Sequence, residues 1–420
     1  MKKKFRAITC DEIRPKFGSS ATAKELSYFT DEENKFRDEV RNWVITEILP
    51  HADRIEAEDN KSDDSLAIDI SKKACAAGYS NQMIPREYGG GGRNSISETI
   101  VAEEVGAASW AVEGVRIPTS IFAGFPLYKF GTEEQKTKYL LPLMSGKKIS
   151  GMGLTEPGAG SDISRMETSA VRHGNSWIIN GEKRFIGNGS TADFLIVYAV
   201  TNPDAPFPAR ITAFVVERDR PEFEVIKVFD HMGWRGTANA WFRLKNYEVS
   251  EAHIVGDLNN GFRVVMEELD VERIVAAAAG VGIMRSAYEI AVRYSLEREQ
   301  FGRKISEFEG VSFKLADMYS KLELSRLLIW KAARQIDAGL SANREAALAK
   351  WYIADACVDV SNTAFQVIGG IAYSKDYPIE RFMRDSRILS VAGGTNEVQQ
   401  FILARQILRD AKKWQLHHDS

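Results

Sequence analysis

Apolar residues recur at three- and four-residue spacing from about Thr30 to Lys148. In EENKFRDEVRNWVITEIL, Phe36, Val40, Trp43, Val44 and Ile48 share one helical face, and SISETIVAEEVGAASWAV repeats the habit. Thr132, following a glycine and preceding Glu134, predicts a further helix start. From about Ser150 to Gly256 the period shortens to two. SAVRHGNSWIINGEKRFIGNG predicts short strands joined at His173-Gly174-Asn175 and again at Asn180-Gly181, the second an Asn-Gly hairpin signal. ADFLIVYAVT, ARITAFVVE and NAWFRLKNYEV continue as strands, which predicts a small barrel or sandwich of roughly 100 residues. After Gly256 the helical period returns in GFRVVMEELDVERIVAAAAGVGIMRSAYEIAVRYSLERE and persists through at least three more segments. Long amphipathic helices with short links predict an antiparallel bundle.

Helices, strands and helices again make an α+β chain in three parts. The boundaries read as an N-terminal arm (1–29), an N-terminal α-helical domain (30–149), a middle β domain (150–256), a C-terminal α-helical bundle (257–413) and a tail (414–420). No internal repeat is visible.

With 420 residues, 44% hydrophobic and 27% charged, the chain can bury a large core. A net charge of -3 gives no reason to expect nucleic acid or an anionic membrane as the main partner. No apolar run reaches the roughly 18 residues that would span a bilayer. The opening MKKKFRAITCDEIRPKF is basic without a signal peptide's apolar stretch, and reads as a loosely attached arm. Cys10, Cys75 and Cys357 show no metal or redox spacing, so a reduced, cytoplasmic setting is expected. The six histidines are dispersed and no metal site is expected.

Candidate chemistry begins at MGLTEPGAGSD, residues 152–162, where Pro157, Gly158 and Gly160 break regular structure. Alone this is a polar turn as readily as a site. Joined to FIGNGS (185–190), it supplies an aromatic, glycines and hydroxyls on which a flat ring could rest.

TEPGAGSD, NGEKRFIGNG, GWRGT, LEREQFGR, QVIGG and GGTNE occur in the order seen in the acyl-CoA dehydrogenases, and the resemblance runs from about residue 30 to 410. It implies FAD, a subunit with an N-terminal helical domain, a middle β-barrel and a C-terminal four-helix bundle, a homotetramer, an acyl-CoA substrate and reoxidation by an electron-transferring flavoprotein. By resemblance, Met152, Leu154 and Thr155 contact the flavin ring and Ser161 the flavin or the CoA arm. Phe185 stands where the family usually has Trp, and Gly187 where a hydroxyl residue often helps bind the ring. Arg298, Gln300 and Phe301 resemble residues that reach a neighbouring subunit's FAD. Gln366, Gly369 and Gly370 resemble the loop receiving the pyrophosphate, with Ala372 at a usual glycine. Thr395 and Glu397 would close over the cofactor near a helix N-terminus. Asp270, Arg273 and Gly394 resemble substrate contacts, Asp270 and Arg273 at the mouth of the CoA channel.

Dehydrogenating an acyl thioester removes an α-proton and a β-hydride. The proton needs a carboxylate in a dry pocket, and the thioester oxygen needs donors. Most of the family reads Glu-Gly-Thr where this chain reads Gly393-Gly394-Thr395, so only the Gly393 backbone N–H remains to act there. A minority branch, resembling isovaleryl- and long-chain acyl-CoA dehydrogenases, places the base before an Arg. LDVER supplies that pair as Glu272-Arg273, and the resemblance makes Glu272 the base. The alternative for Glu272 is a solvated helix position, as expected for Glu267 and Glu268. At the level of function the alternatives are an enoyl-CoA reductase, a carrier-protein thioester dehydrogenase, a flavin oxygenase or a non-catalytic FAD-binding paralogue. Glu113 and Arg116 border the expected acyl cavity. Facing inward, they would suit a carboxylated or polar acyl group; facing outward, they carry no message.

Overall fold

A computed structural model describes residues 29–58 and 65–418, so the expected N-terminal arm lies outside the described residues apart from Phe29. Helices α1 (Asp31–Glu47), α2 (Leu66–Ala74), α3 (Ser95–Ala108) and α4 (Trp110–Ile117) come first among the principal elements. Eight strands follow: β1 (Ser150–Gly153), β2 (Ser169–His173), β3 (Ser176–Gly187), β4 (Phe194–Val200), β5 (Ile211–Glu217), β6 (Phe223–Val228), β7 (Asn239–Ser250) and β8 (Ile254–Val255). Four long helices close the chain: α5 (Gly261–Glu297), α6 (Glu309–Asp337), α7 (Asn343–Ile368) and α8 (Asn396–His418).

The start of α1 follows from its sequence. Thr30 accepts from the Glu33 N–H while Glu33 reaches back to the Thr30 N–H, a capping box that satisfies two orphan donors. Phe36, Val40, Val44 and Ile48 are buried as the spacing predicts, and Trp43 is half-buried at the edge of the stripe. Thr132 likewise caps a helical turn, with Gln135 completing the box.

Two compact units form. One comprises residues 53–98 and 111–272 and contains the whole sheet; the other comprises 29–52, 99–110 and 273–418 and contains most of the bundle. In the sheet unit the strand order is β6-β7-β3-β2-β4-β5-β8, with β1 pairing parallel to β4. Strand β4 is buried on both faces. Phe194, Ile196, Tyr198 and Val200 face a core shared with Leu127, Leu140 and Met144, while Leu195, Val197 and Ala199 face a core of Trp177, Phe214 and Phe242. Alternate side chains of the continuous apolar run FLIVYAV thus feed two cores from one strand.

The turn at Gly174-Asn175 joins β2 to β3 as expected, with Gly174 at φ +61°. Asn180-Gly181 does not form the predicted hairpin. Strand β3 runs straight through it, and the pairing with β7 slips between Ile179 and Gly181 as a bulge. Asn180 Oδ1 accepts from the Asn246 N–H at 2.8 Å, and a Cβ at Gly181 would lie 2.4 Å from Thr168 Oγ1. The dipeptide serves a close strand approach instead of a chain reversal.

In the bundle unit, glycines let α3 and α5 cross closely. A Cβ at Gly106 of α3 would meet the Ala279 carbonyl of α5 at 2.5 Å, and one at Gly282 would meet the Glu103 carbonyl at 2.2 Å. Contrary to the expectation from the sequence, α5 is by length and composition apolar enough to cross a membrane, but nearly all of its apolar stretch is buried within the fold, as in a core helix. At the α3–α5 crossing, Glu104 accepts from Arg285 at 2.6 and 2.7 Å and from Arg41 at 2.8 and 3.1 Å. Burial works against this carboxylate, but the two guanidinium groups outweigh it and hold Glu104 well below its ordinary value of 4.5. A depressed folded-state pKa stabilises above the unfolded value and loses that contribution as pH falls through the folded one. The urea midpoint is therefore expected to drop as pH is lowered below 4.5. In Glu104→Gln that drop is expected to be shallower, which urea melts across pH will check.

Candidate active site

The expected ligand floor lies in the sheet unit. A Cβ at Gly151 would lie 2.3 Å from the Gly187 carbonyl, so glycine there lets β1 run against the end of β3. Met152, Thr155 and Gly187 are half-buried, whereas Leu154 is buried. Phe185 adopts φ +60° and is 52% exposed. Its ring rests 4.8 Å from that of Phe229, with the Arg184 guanidinium 4.7 Å away over its face, so an aromatic surface stays presented at the floor.

Lys183 and Glu156 hold this loop, and sequence reading assigned neither a role. Lys183 Nζ donates to Glu156 Oε1 at 2.8 Å and to the Leu154 carbonyl at 3.2 Å. The Glu156 carboxylate also accepts from the Glu167 and Thr168 N–H groups at 2.7 and 3.0 Å. Burial pushes the Lys183 ammonium down to about 8. Burial also works against the Glu156 carboxylate, but Lys183 together with the Thr168 and Glu167 hydrogen bonds outweighs it and holds Glu156 low. The pair is a strut, and the loop beyond it, with Ser161, is exposed. The signal was available as a Glu in TEPGAG facing a Lys in NGEKRF. A Cβ at Gly158 or Gly160 meets nothing within 4 Å, which leaves open space beside the loop.

Gly187 has a local explanation. A Cβ there would lie 3.0 Å from Pro118 Cγ, so the family's hydroxyl residue would crowd this proline. Gly187→Ser is expected to cost about 1 kcal/mol of stability, at the low end of the overpacking range, measured by urea denaturation.

Glu272 is 4% exposed on α5, which removes the solvated-helix alternative for it. Glu268, expected to be solvated, is also fully buried, and Tyr198 O–H donates to its Oε2 at 3.2 Å. Helical position alone could not distinguish Glu268 from Glu267, which pairs with Lys129 and Arg263 on the open side. Arg273 is buried and Asp270 half-buried.

Glu113 and Arg116 do face inward, but the polar acyl group this would suggest does not follow. Arg116 binds Glu113 through two contacts of 2.6 and 2.8 Å, Glu98 at 2.7 Å and the Ser80 carbonyl at 2.8 Å. All three side chains have zero exposure. The guanidinium is already committed on each nitrogen, so the triad is a structural post.

In the bundle unit, Gly393 and Gly394 take φ +63° and +85°, which glycine adopts without a Cβ penalty. Gln399 Nε2 donates to both carbonyls at 3.0 Å and Lys350 Nζ donates to the Gly394 carbonyl at 2.6 Å. These two side chains, absent from the expected site, fix the turn by gripping its carbonyls from within. Thr395 Oγ1 accepts from the Val398 N–H and starts α8. The exposed Glu397 carboxylate is held low by its own N–H and by Thr395. At the end of α7, Gln366 and Gly370 are exposed, Gly369 takes φ +75°, and a Cβ on either glycine meets nothing within 4 Å. Ala372, in place of the usual glycine, buries its methyl completely. Gln300 and Phe301 lie at a two-strand hairpin (Glu299–Gln300 with Arg303–Lys304) just beyond α5, and Phe301 at its tip is 93% exposed. Arg298 is half-buried at the root of that hairpin.

Each unit is compatible with part of a flavin cofactor. The sheet unit offers an aromatic and aliphatic floor edged by the Thr155 hydroxyl. The bundle unit offers side-chain-free backbone at Gly369-Gly370 with polar Gln366 and cationic Arg298. Such residues suit the class of flavin-dependent oxidoreductases. Residues 30–147, 151–247 and 259–408 match the acyl-CoA dehydrogenase N-terminal, middle and C-terminal domains. A probable acyl-CoA dehydrogenase of Bacillus subtilis is 37% identical over 90% of this chain and 99% of its own length. A 3-(aryl)acrylate reductase of Clostridium sporogenes is 38% identical over 91% of this chain and 100% of its own. The solved structure of butyryl-CoA dehydrogenase from Megasphaera elsdenii superposes with a TM-score of 0.86 at 32% identity, covering 91% of this chain and 100% of that one. The chain belongs to the acyl-CoA dehydrogenase family of FAD-dependent enzymes, with the family's helical, sheet and helical domains.

Proposed function

We propose that this enzyme oxidises an acyl-CoA thioester to its trans-2-enoyl-CoA, with Glu272 as the base. The observation that carries this is a buried carboxylate at Glu272 in a chain whose Gly393 has none to offer. Glu272 takes the α-proton, the C–H electron pair passes toward the thioester carbonyl, and the Gly393 N–H helps hold the developing negative charge on its oxygen. FAD, when bound, supplies the acceptor for the β-hydride. Met152, Leu154, Thr155, Phe185 and Gly187 hold its ring, Gln366, Gly369 and Gly370 take its pyrophosphate and adenosine portion, Thr395 and Glu397 close over it, and Arg298, Gln300 and Phe301 reach a neighbouring subunit's FAD. Ser161, Asp270, Arg273 and Gly394 bind the thioester and its CoA.

Electron-transferring flavoprotein is the proposed acceptor of the electrons. A homotetramer is supported by apolar side chains left open on the bundle, among them Phe313, Tyr373, Phe401 and Leu408, each more than 60% exposed. The buried free thiols of Cys75 and Cys357 suit the cytoplasm.

The test is anaerobic titration of the FAD-loaded enzyme with straight, branched and aryl acyl-CoAs. Bleaching of the oxidised flavin by at least one is expected. The arylacrylate reductase relative motivates a second reading, reduction of an enoyl thioester by the same residues, with Glu272 then the proton donor. Reoxidation of dithionite-reduced enzyme by an enoyl-CoA, without bleaching by any acyl-CoA, would favour that direction.

A further inference from the structure

The mechanism above leaves the buried acid Glu268 unused. Glu268 lies one helical turn before Glu272 on α5, a spacing that puts the two side chains on one helix face. It has no exposed surface, and it sits by Tyr198 of β4 within a core that includes Val264 and Val265. Tyr198 O–H satisfies Oε2, whereas Oε1 is buried with no hydrogen-bond partner among the described residues. An ionised carboxylate with an unpartnered oxygen in such a core is strongly disfavoured. Protonation removes the charge and turns the orphan acceptor into a donor. The nearest acid on the same face is Glu272.

We propose that Glu268 is a positioning residue for proton removal: it stays neutral inside the fold and offers its acid proton to the Glu272 carboxylate one turn on, so that Glu272 rests ionised and oriented. The proposal rests on the assignment of Glu272 as base. The two carboxyls then hold one proton between them, with Glu268 the protonated member because it is the more deeply buried. Burial first, and Glu272 second, push the Glu268 carboxyl well above the usual range, against the opposing Tyr198 bond. Glu267 binds Lys129 and Arg263, and Glu217 binds Lys138 and Tyr139.

The test uses FAD-loaded enzyme. Infrared spectra of wild type at neutral pH are expected to show the C=O stretch of a protonated carboxylic acid that disappears in Glu268→Gln. Its absence in wild type would overturn the neutral state and with it the proposal. Stopped-flow flavin reduction, using whichever of butyryl-, isovaleryl- and palmitoyl-CoA reduces wild type fastest, is then followed against pH. Glu268→Met removes the donor and is expected to move the acid limb up by about one to two units, the size of a charge-assisted hydrogen bond. Glu268→Gln, which restores a donor, is expected to bring the limb back. A limb that stays in place in Glu268→Met would reduce Glu268 to a packing residue. Full activity in Glu272→Gln would instead sink the base assignment, while the infrared band still reports on Glu268 by itself.

Discussion

Glu272→Gln is expected to slow flavin reduction by acyl-CoA about 1,000-fold while leaving FAD bound. A positioned general base contributes on the order of 10²- to 10⁴-fold, so a thousandfold loss corresponds to about 4 kcal/mol of barrier. Glutamine preserves the volume of a side chain that is 4% exposed, and the thermal melt separates lost chemistry from lost folding. Nothing at position 393 can substitute, since glycine there has no side chain. The check is single-turnover reduction under anaerobic conditions, with a thermal melt of the same preparation. Reduction within tenfold of wild type would move the base elsewhere.

Arg116→Met is expected to destabilise the fold by about 3–5 kcal/mol, the cost of stripping the partner from a buried ion pair. Methionine approximates the volume of the lost side chain, so electrostatics dominate over packing. Glu113 loses both of its guanidinium contacts, and Glu98 loses its own while keeping the Gln82 N–H at 2.8 Å. Burial already pushes the Glu98 carboxyl up, with Arg116 opposing, so removing Arg116 drives it further toward the neutral form. The triple variant with Glu98→Gln and Glu113→Gln is expected to recover part of the loss, because no buried charge is then left alone. Urea denaturation of the two variants decides the matter: equal losses would show that packing, not charge, holds this post together.

The pH drop tied to Glu104 and the crowding at Gly187 rest on similar reasoning, in which a local chemical group is judged by what surrounds it. Such surroundings are where sequence reading and structure part. Periodicity placed α1, because a 3.6-residue repeat is set by backbone geometry alone, whereas the two faces of β4 emerge only in the packing, since every residue of FLIVYAV is apolar. Thr30 and Thr132 announced helix starts because a cap is satisfied within four residues. Asn180-Gly181 misled because a turn signal and a bulge signal share residues, and only the pairing of β3 with β7 selects between them.

The order of helical and strand segments, the family motifs, and the coincidence of a missing carboxylate at Gly393 with Glu272-Arg273 are legible in the residues alone. All of these depend on neighbours in the chain or on residue identity. Tertiary structure decided that Glu268 is buried while Glu267 is not, that Arg116 is spent on Glu98 and Glu113, that Lys183 braces the loop through Glu156, and that Lys350 and Gln399 clamp the Gly393-Gly394 turn. Each is a polar group whose role depends on whether water or a distant partner completes its hydrogen bonds. Burial and partnership are set by segments tens of residues away, and no local pattern encodes them.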